Sequence, residues 1–422
     1  MKYSLFATPL LLGFWTCPLL SAEAPFKPPT LDPQIAIGYG LAVGDVDGDG
    51  DQDILLADKR DFIWYENPSW KKHLFRTFHK GEKRNQLRDN VCIAAHDIDG
   101  DAKVEVAVGG NWNPGNTDSE DQSGSIHYLG SLGKVKPVQL PHDPTTHRMR
   151  WVHVGEKKYA LVVLPLHGRG NRGGQGKGVN VTAYFPPTDP SGGGNWKTAI
   201  INNELHKTHN FDSLENGPSD SVYIGGAEGA RVVWLAEGKW HSKDLAFPEM
   251  NGGAGEIRIG KGDPGLQERT YACIEPIHGN TVAVYKVGGL KGEASEWERI
   301  VLDDSLNQGH ALEYADILGT GNLQVLAGWR NPDKEGKVGI KLYAPGEQGD
   351  KWTTHLIDDK IACEDLKVAD LNKDGKLDII ACGRSTRNVV IYWNQKEREA
   401  QALSAGEQSL ILHPISGPLQ QL

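Results

Sequence analysis

Four carboxylates crowd one short stretch: Asp45, Asp47, Asp49 and Asp53, with Gly50 among them. Counted from Asp45 they fall at positions 1, 3, 5 and 9, with the glycine at 6. Short carboxylates on a tight turn aim several oxygens at one centre, and calcium takes about 6–8 oxygen ligands. Without a cation the charges repel one another. The pattern returns as Asp370, Asn372, Asp374 and Asp378, with Gly375 in the sixth place. A third copy has Asp97, Asp99, Asp101 and Glu105, but Ala102 stands where the glycine belongs. That copy is open between a calcium site and a plain acidic turn. At Asp316 the other positions read Leu318, Thr320 and Gln324, so that loop is expected to hold no ion. Calcium in the first and last loops is a structural expectation: it ties a hairpin and does no chemistry.

Each acidic loop joins two apolar runs. Leu41–Gly44 precedes the first and Ile54–Ala57 follows it; Cys92–Ala95 and Val104–Val108 flank another; Leu366–Ala369 and Ile379–Ala381 flank the last. A third run in each unit carries an aromatic residue, near Trp64, Tyr128, Tyr184, Trp234, Tyr285, Tyr343 and Tyr392. A fourth often opens on tryptophan, at Trp70, Trp196, Trp240, Trp297 and Trp352, with a copy lacking it at Lys136–Leu140. Asp97 follows Asp45 by 52 residues, and Asp370 follows Asp316 by 54. The 219 residues from Asp97 to Asp316 make four such steps, adding units near Trp151, Val222 and Ile257. Four-strand units at this period predict an all-β, seven-bladed β-propeller. The seventh unit lacks its fourth strand, and Phe26–Ile35 is spaced from Asp45 as Trp352–Ile361 is from Asp370. The N-terminal strand is therefore expected to close the last blade, leaving no open edge. With 51 glycines in 422 residues, against ~7% in ordinary proteins, the composition suits a chain of many tight turns.

In a propeller the innermost strand of each blade lines the channel. The acidic loops take one face, so residues just before strand one and just after strand two share the other. Before strand one stand Asn90, Arg148, His209, Glu256, His310 and Glu364; after strand two stand Lys59, Asn111, His167, Arg169, His278, Arg330 and Arg384. The longest insertions, Trp112–Ser123, Gly168–Gly178 and Asn331–Lys337, lie on that face too. Loops on a rigid scaffold commonly carry function. Histidine titrates near neutral pH and serves as a base or a metal ligand.

Two resemblances follow. The Asp-x-Asp-x-Asp-Gly-x-x-Asp loop between apolar strands resembles the FG-GAP/VCBS repeat, over residues 36–394. Glu275-Pro276-Ile277-His278-Gly279, Gly309-His310-Ala311-Leu312 and Ala327-Gly328-Trp329-Arg330 resemble the propeller domain of aldos-2-ulose dehydratase and its bacterial relatives. Those enzymes dehydrate 2-keto sugars such as anhydrofructose. The cupin domains of the fungal enzyme have no counterpart here, so its isomerase step is not expected. The resemblance implies a carbon–oxygen lyase acting on a keto sugar or a polysaccharide-derived sugar. Such a reaction needs a base for the carbon acid, and His167, His209, His278 and His310 are candidates. It needs positive charge on the developing enolate, from Arg330, Arg384 or a divalent cation held by the histidines. It needs an acid for the leaving oxygen, for which Glu275, Glu364 or a second histidine are candidates. Two other readings compete: a non-enzymatic glycan- or protein-binding propeller with Trp112 and Trp329 as stacking platforms, and an eliminative polysaccharide lyase.

The remaining features bound the setting. Lys2 followed by apolar Leu5–Leu20 and Ser21-Ala22-Glu23-Ala24 reads as a signal peptide over 1–24. The propeller then spans 25–395, and 396–422 is a polar tail. A secreted or periplasmic monomer with a carbohydrate ligand is expected. A net charge of −10 and a pI near 5.8 argue against a nucleic-acid binder, which needs a basic face. No later run is long enough to span a membrane as a helix. Cys92, Cys273, Cys363 and Cys382 lie apart in apolar runs and are expected as buried thiols. Nucleophile elbows, zinc-type cysteine pairs and phosphate loops are missing from the sequence.

Overall fold

The computed structural model describes residues 25–77, 87–131, 136–260, 269–288, 296–346 and 351–395. The expected signal peptide and C-terminal tail lie outside the described residues. Strands form seven antiparallel sheets, six of them in simple chain order and the seventh completed by the N-terminal segment. Among the described residues there is no α-helix. The first blade runs Gly40–Gly44, Asp53–Ala57, Asp61–Glu66 and Lys71–Thr77. The innermost strands of the next six are Cys92–His96, Thr146–Gly155, Thr208–Asn216, Glu256–Ile259, Gly309–Ala315 and Cys363–Ala369. The chain is an all-β, seven-bladed propeller. One expected boundary moves: the fourth blade opens at Thr208, and Val222 lies on its second strand, Ser219–Gly226. Its first strand carries Asp212, Ser213 and Glu215 among its apolar residues, which hides it from a search for apolar runs.

Seven hydrophobic clusters correspond to the seven contacts between neighbouring blades. In the second strand of blade one, Ile54 and Leu56 pack toward blade seven, while Leu55 and Ala57 pack toward blade two. Side chains alternate along a strand, so a strand covered on both faces needs apolar residues at every position. That is why these strands read as unbroken apolar runs. The ring closes as expected: Phe26 pairs with Asn394 and Lys27 with Trp393, then Thr30 with Val390 and Asp32 with Val389. Asp32 also accepts hydrogen bonds from Tyr65 Oη at 2.8 Å and Lys72 Nζ at 2.7 Å, fastening this segment to blade one. All four cysteines among the described residues are free and buried.

Candidate active site at the channel mouth

Four innermost strands carry a register irregularity at the same place. Pairing skips from Thr146 to Arg148, from Thr208 to Phe211, from Gly309 to Ala311 and from Cys363 to Asp365. The unpaired residues are His147, His209 with Asn210, His310 and Glu364. A bulge re-aims a side chain that regular pleating would bury between blades. The local sequences Thr-His-Arg-Met, Thr-His-Asn-Phe, Gly-His-Ala-Leu and Cys-Glu-Asp-Leu share one form: a bulge residue, one more position, then a buried apolar anchor. His147 was missed from sequence because Arg148 was assigned to the rim; this recurring tetrapeptide was the available signal.

The bulges bring His209 and His310 together with His278, which follows the second strand of blade five. Nitrogen atoms of these three rings lie within 4.8 Å of one another. His209 Nδ1 donates to the Gly255 carbonyl at 3.0 Å, and His310 Nδ1 donates to the Glu364 carbonyl at 2.7 Å. Each ring is thereby fixed with its proton on Nδ1 and a bare lone pair on Nε2. His209 Nε2 stands 2.8 Å from His278 Nε2, a contact that needs one proton or one cation between the two nitrogens. Glu256 Oε1 lies 2.9 Å from the same His209 Nδ1. His147 Nδ1 donates to the His209 carbonyl at 2.9 Å, its ring 4.8 Å from that of His209 and stacked on Trp112.

Burial sets the charge state. It pushes the His278 imidazole down to about 2, helped by His209 and Arg330. Burial also lowers His209, against the pull of Glu256, and holds His147 and His310 well below the usual histidine range. The cluster is neutral at physiological pH, the form in which imidazole ligates metals. A base titrating at the ordinary histidine pKa, as composition suggests, is not what the fold makes.

His278 is presented by an unusual turn. Its backbone sits at φ 55°, in the left-handed region, and a Cβ on Gly279 would lie 2.0 Å from the Glu275 carbonyl oxygen. Only glycine fits after His278.

The other expected residues divide. Arg330 Nη1 reaches both Glu364 oxygens at 2.9 Å, and Arg384 Nη1 reaches Oε1 at 3.1 Å. Glu364 is thus at the mouth, but as the clamp of two arginines; its oxygens are not free to act as the expected acid. Glu275 is not at the mouth chemistry. Tyr285 Oη donates to its Oε1 at 2.5 Å and Arg299 Nη2 to its Oε2 at 2.8 Å, turning it toward the outer strands of its own blade. His167 also stands apart from the trio: it forms an isolated bridge with Lys207, and its backbone N–H donates to Thr145 Oγ1. Trp329 is 1% exposed with Nε1 on the Lys337 carbonyl, so it offers no stacking platform.

On the opposite face, ligand atoms of Asp45, Asp47 and Asp53 converge within 4.8 Å, as do those of Asp97, Asp99 and Asp101. Among the described residues Asp370, Asp374 and Asp378 form no such group, and Lys376 bonds Asp374 at 2.9 Å. The loop with Ala102 thus gathers its acids better than its sequence suggests; Ala102 takes the glycine-like φ of 69°. The ninth-position acids are largely spent on the backbone. Asp53 accepts from the Val46 and Asn67 amides, both at 2.8 Å, and Asp378 from Leu371 and Asn394. Glu105 accepts from the Ile98 amide and Ser131 Oγ. Burial pushes Asp53 up to about 7 and Asp378 up to about 6.

With the geometry in hand, the sequence comparison is specific. Residues 123–287 match the family model of the aldos-2-ulose dehydratase beta-propeller domain. The matched stretch holds His147, His209, Glu256 and His278, while His310 and the Arg330–Glu364–Arg384 clamp lie beyond it. A sugar-related propeller domain is thereby indicated. No curated protein matches the chain. Solved structures similar to it include BBS1N in complex with ARL6DN, at TM-score 0.53 and 12% identity, covering 90% of this chain and 99% of that one. A chain of the mitotic checkpoint complex reaches TM-score 0.53 at 10% identity, over 93% and 99% respectively. At these identities the likeness is one of fold alone. Among the described residues no helix is long and apolar enough to cross a membrane.

Proposed function

We propose that this propeller is a carbon–oxygen lyase that eliminates water, or another β-oxygen substituent, from a keto sugar bound at the channel mouth. The observation that carries the reading is the convergence of three imidazoles, two of them locked by backbone carbonyls with Nε2 bare. His209, His278 and His310 would hold a divalent metal of the kind that favours nitrogen ligands. Bound there, the metal supplies Lewis-acid polarisation of a carbonyl oxygen. Glu256 orients His209, as outer-sphere carboxylates orient ligating histidines. Arg330, held by Glu364 and Gln308, adds a fixed positive charge for the enolate.

His147 is the base in this account. Its Nδ1–H is committed to the His209 carbonyl, leaving Nε2 to accept the proton from the carbon next to the sugar carbonyl. The C–H electron pair forms the new double bond, the β-carbon–oxygen bond breaks, and its electron pair leaves on oxygen. The proton now on His147 goes to that oxygen, releasing water and restoring the neutral ring. Trp112, stacked on His147, fixes the plane of the base.

Calcium in the Asp45 and Asp97 loops belongs to the same proposal as a structural element. A secreted or periplasmic location rests on the N-terminal sequence, and a carbohydrate ligand on the family match. The test is incubation with anhydrofructose and a panel of ketoaldoses and keto-uronates, with added divalent metals, following the ultraviolet absorbance of an unsaturated ketone. Turnover is expected, reduced ~10²–10⁴-fold in His147→Gln. No product from any member of the panel would exclude the lyase.

A further inference from the structure

Beyond the histidines the channel holds a void of about 250 Å³ that runs along the innermost strands, from Gly40 and Cys92 to His96 and Val368. Its lining follows from the strands: Arg148, Asn210 and Asp365 each stand one residue beyond a mouth residue, His147, His209 and Glu364. The charged groups around it are engaged, with one exception. Asp365 accepts from the Leu41 amide and Lys367 Nζ, both at 2.8 Å. Arg150 Nε donates to the Phe211 carbonyl at 3.0 Å and lies 3.9 Å from Asp212. Arg148 is 9% exposed, yet among the described residues its guanidinium has one long contact, to the Val91 carbonyl at 3.4 Å, and no carboxylate within ion-pair distance; Asp365 and Glu256 feel its charge only from further away. Arg330 and Arg384 are both tied to Glu364, which fixes their guanidiniums at the mouth and leaves these three side chains one positive charge. A buried guanidinium is ordinarily paired, because desolvating it unpaired is costly. Its fork of N–H donors matches a carboxylate, two bonds to two oxygens. Its charge is among the causes keeping His147, His209, His278 and His310 neutral, so it lies within electrostatic reach of the site.

We infer that Arg148 is a carboxylate-recognising group and that the sugar processed at this mouth is acidic, with its carboxylate seated in the void on Arg148. The inference rests on the lyase reading only in calling the sugar a substrate; the binding site stands without it. The carboxylate arrives on a ring whose reacting carbons remain one layer above, at the histidines, so Arg148 sets specificity and takes no part in proton transfer.

The experiment is calorimetric titration of the intact protein with D-glucuronate, glucose and inorganic phosphate. Glucuronate should bind and glucose should not. Arg148→Gln should weaken glucuronate binding roughly 10- to 100-fold, the worth of charge-assisted bonds. Arg148→Lys keeps the charge without the fork and should fall between. Should Arg148→Gln fail to fold, Arg148→Lys and the glucuronate-to-glucose preference of the unaltered protein still decide. Equal affinity for glucuronate and glucose, or unchanged glucuronate binding in a folded Arg148 variant, overturns the inference. Binding of phosphate without glucuronate overturns the sugar assignment, leaving a free-anion site. Loss of glucuronate binding in Arg148→Gln, in a protein that yields no elimination product, would uphold the anion site and remove the lyase.

Discussion

On the acidic-loop face, Asp45 gives its two oxygens to the Gly48 and Gly50 amides. In blade six, where the other ligand positions are lost, Asp316 does the same for Thr320 and Gly321. Asp97 and Asp370 repeat it. The first aspartate therefore folds its own loop whether or not an ion is to be bound, within a few residues of one blade. The mouth is built the other way. His209, His278 and His310 come from three blades, and no two are closer than 32 residues in sequence. Even the partner atoms come from neighbours: the Gly255 carbonyl of blade five orients His209 of blade four, and the Glu364 carbonyl of blade seven orients His310 of blade six. One face is a set of self-contained turns, the other a joint product of the ring.

Glu256→Ala gives the largest expected effect on stability. Glu256 is 1% exposed and serves His209, Asn210 and Arg258. Its loss leaves Glu313, at 3.6 Å, as the one ion-pair partner of buried Arg258 among the described residues, and breaking a buried pair in this way costs about 3–5 kcal/mol. Urea unfolding should show it; a cost below that of Asp316→Ala would break the contrast between the faces.

Acid comes next. The folded histidines at the mouth are held below their usual range by burial, while the unfolded chain protonates near pH ~6.5. Below that pH the unfolded state binds the additional protons, so stability falls as pH falls from about 6.5. Melting of chelator-treated protein should show this fall, and it should shrink in His310→Ala.

Asp45→Ala and Asp316→Ala should each cost about 1–2 kcal/mol, because each strips two backbone amides of their acceptor. Added calcium should raise the melting temperature of the unaltered protein and of Asp316→Ala, and do so less for Asp45→Ala. Equal calcium response in both variants would remove the ion from the Asp45 loop. The smallest stability change is expected for His278→Gly. Relief of the left-handed backbone, about 1 kcal/mol, offsets the lost ring contacts, so the melting point should stay nearly unchanged.

What could be read from sequence follows the same division. The repeat, the strands and the closing N-terminal segment are local patterns, and unbroken apolar runs such as Ile54–Ala57 announce strands covered on both faces. The acidic loops were legible because their residues are neighbours; which of them draw their carboxylates together was not, because Lys376 beside Asp374 and the φ of Ala102 are matters of geometry. At the mouth, position relative to strand ends found His209, His278, His310, Arg330, Glu364 and Arg384. It also listed His167, which lies off the trio; Glu275, named only as an acid for the lyase chemistry, turns instead to Tyr285 and Arg299 on the outer strands of its blade. It missed His147, because a bulge shifts the rim by one residue.

The most direct test of the joint centre is titration of chelator-treated protein with cobalt(II), followed by its visible absorption. One equivalent should bind with the bands of a nitrogen-ligated ion, be lost in His310→Ala and in His278→Gly, and persist in Asp45→Ala. Failure of cobalt to bind, or binding that disappears with Asp45 and survives without His310, would contradict the account.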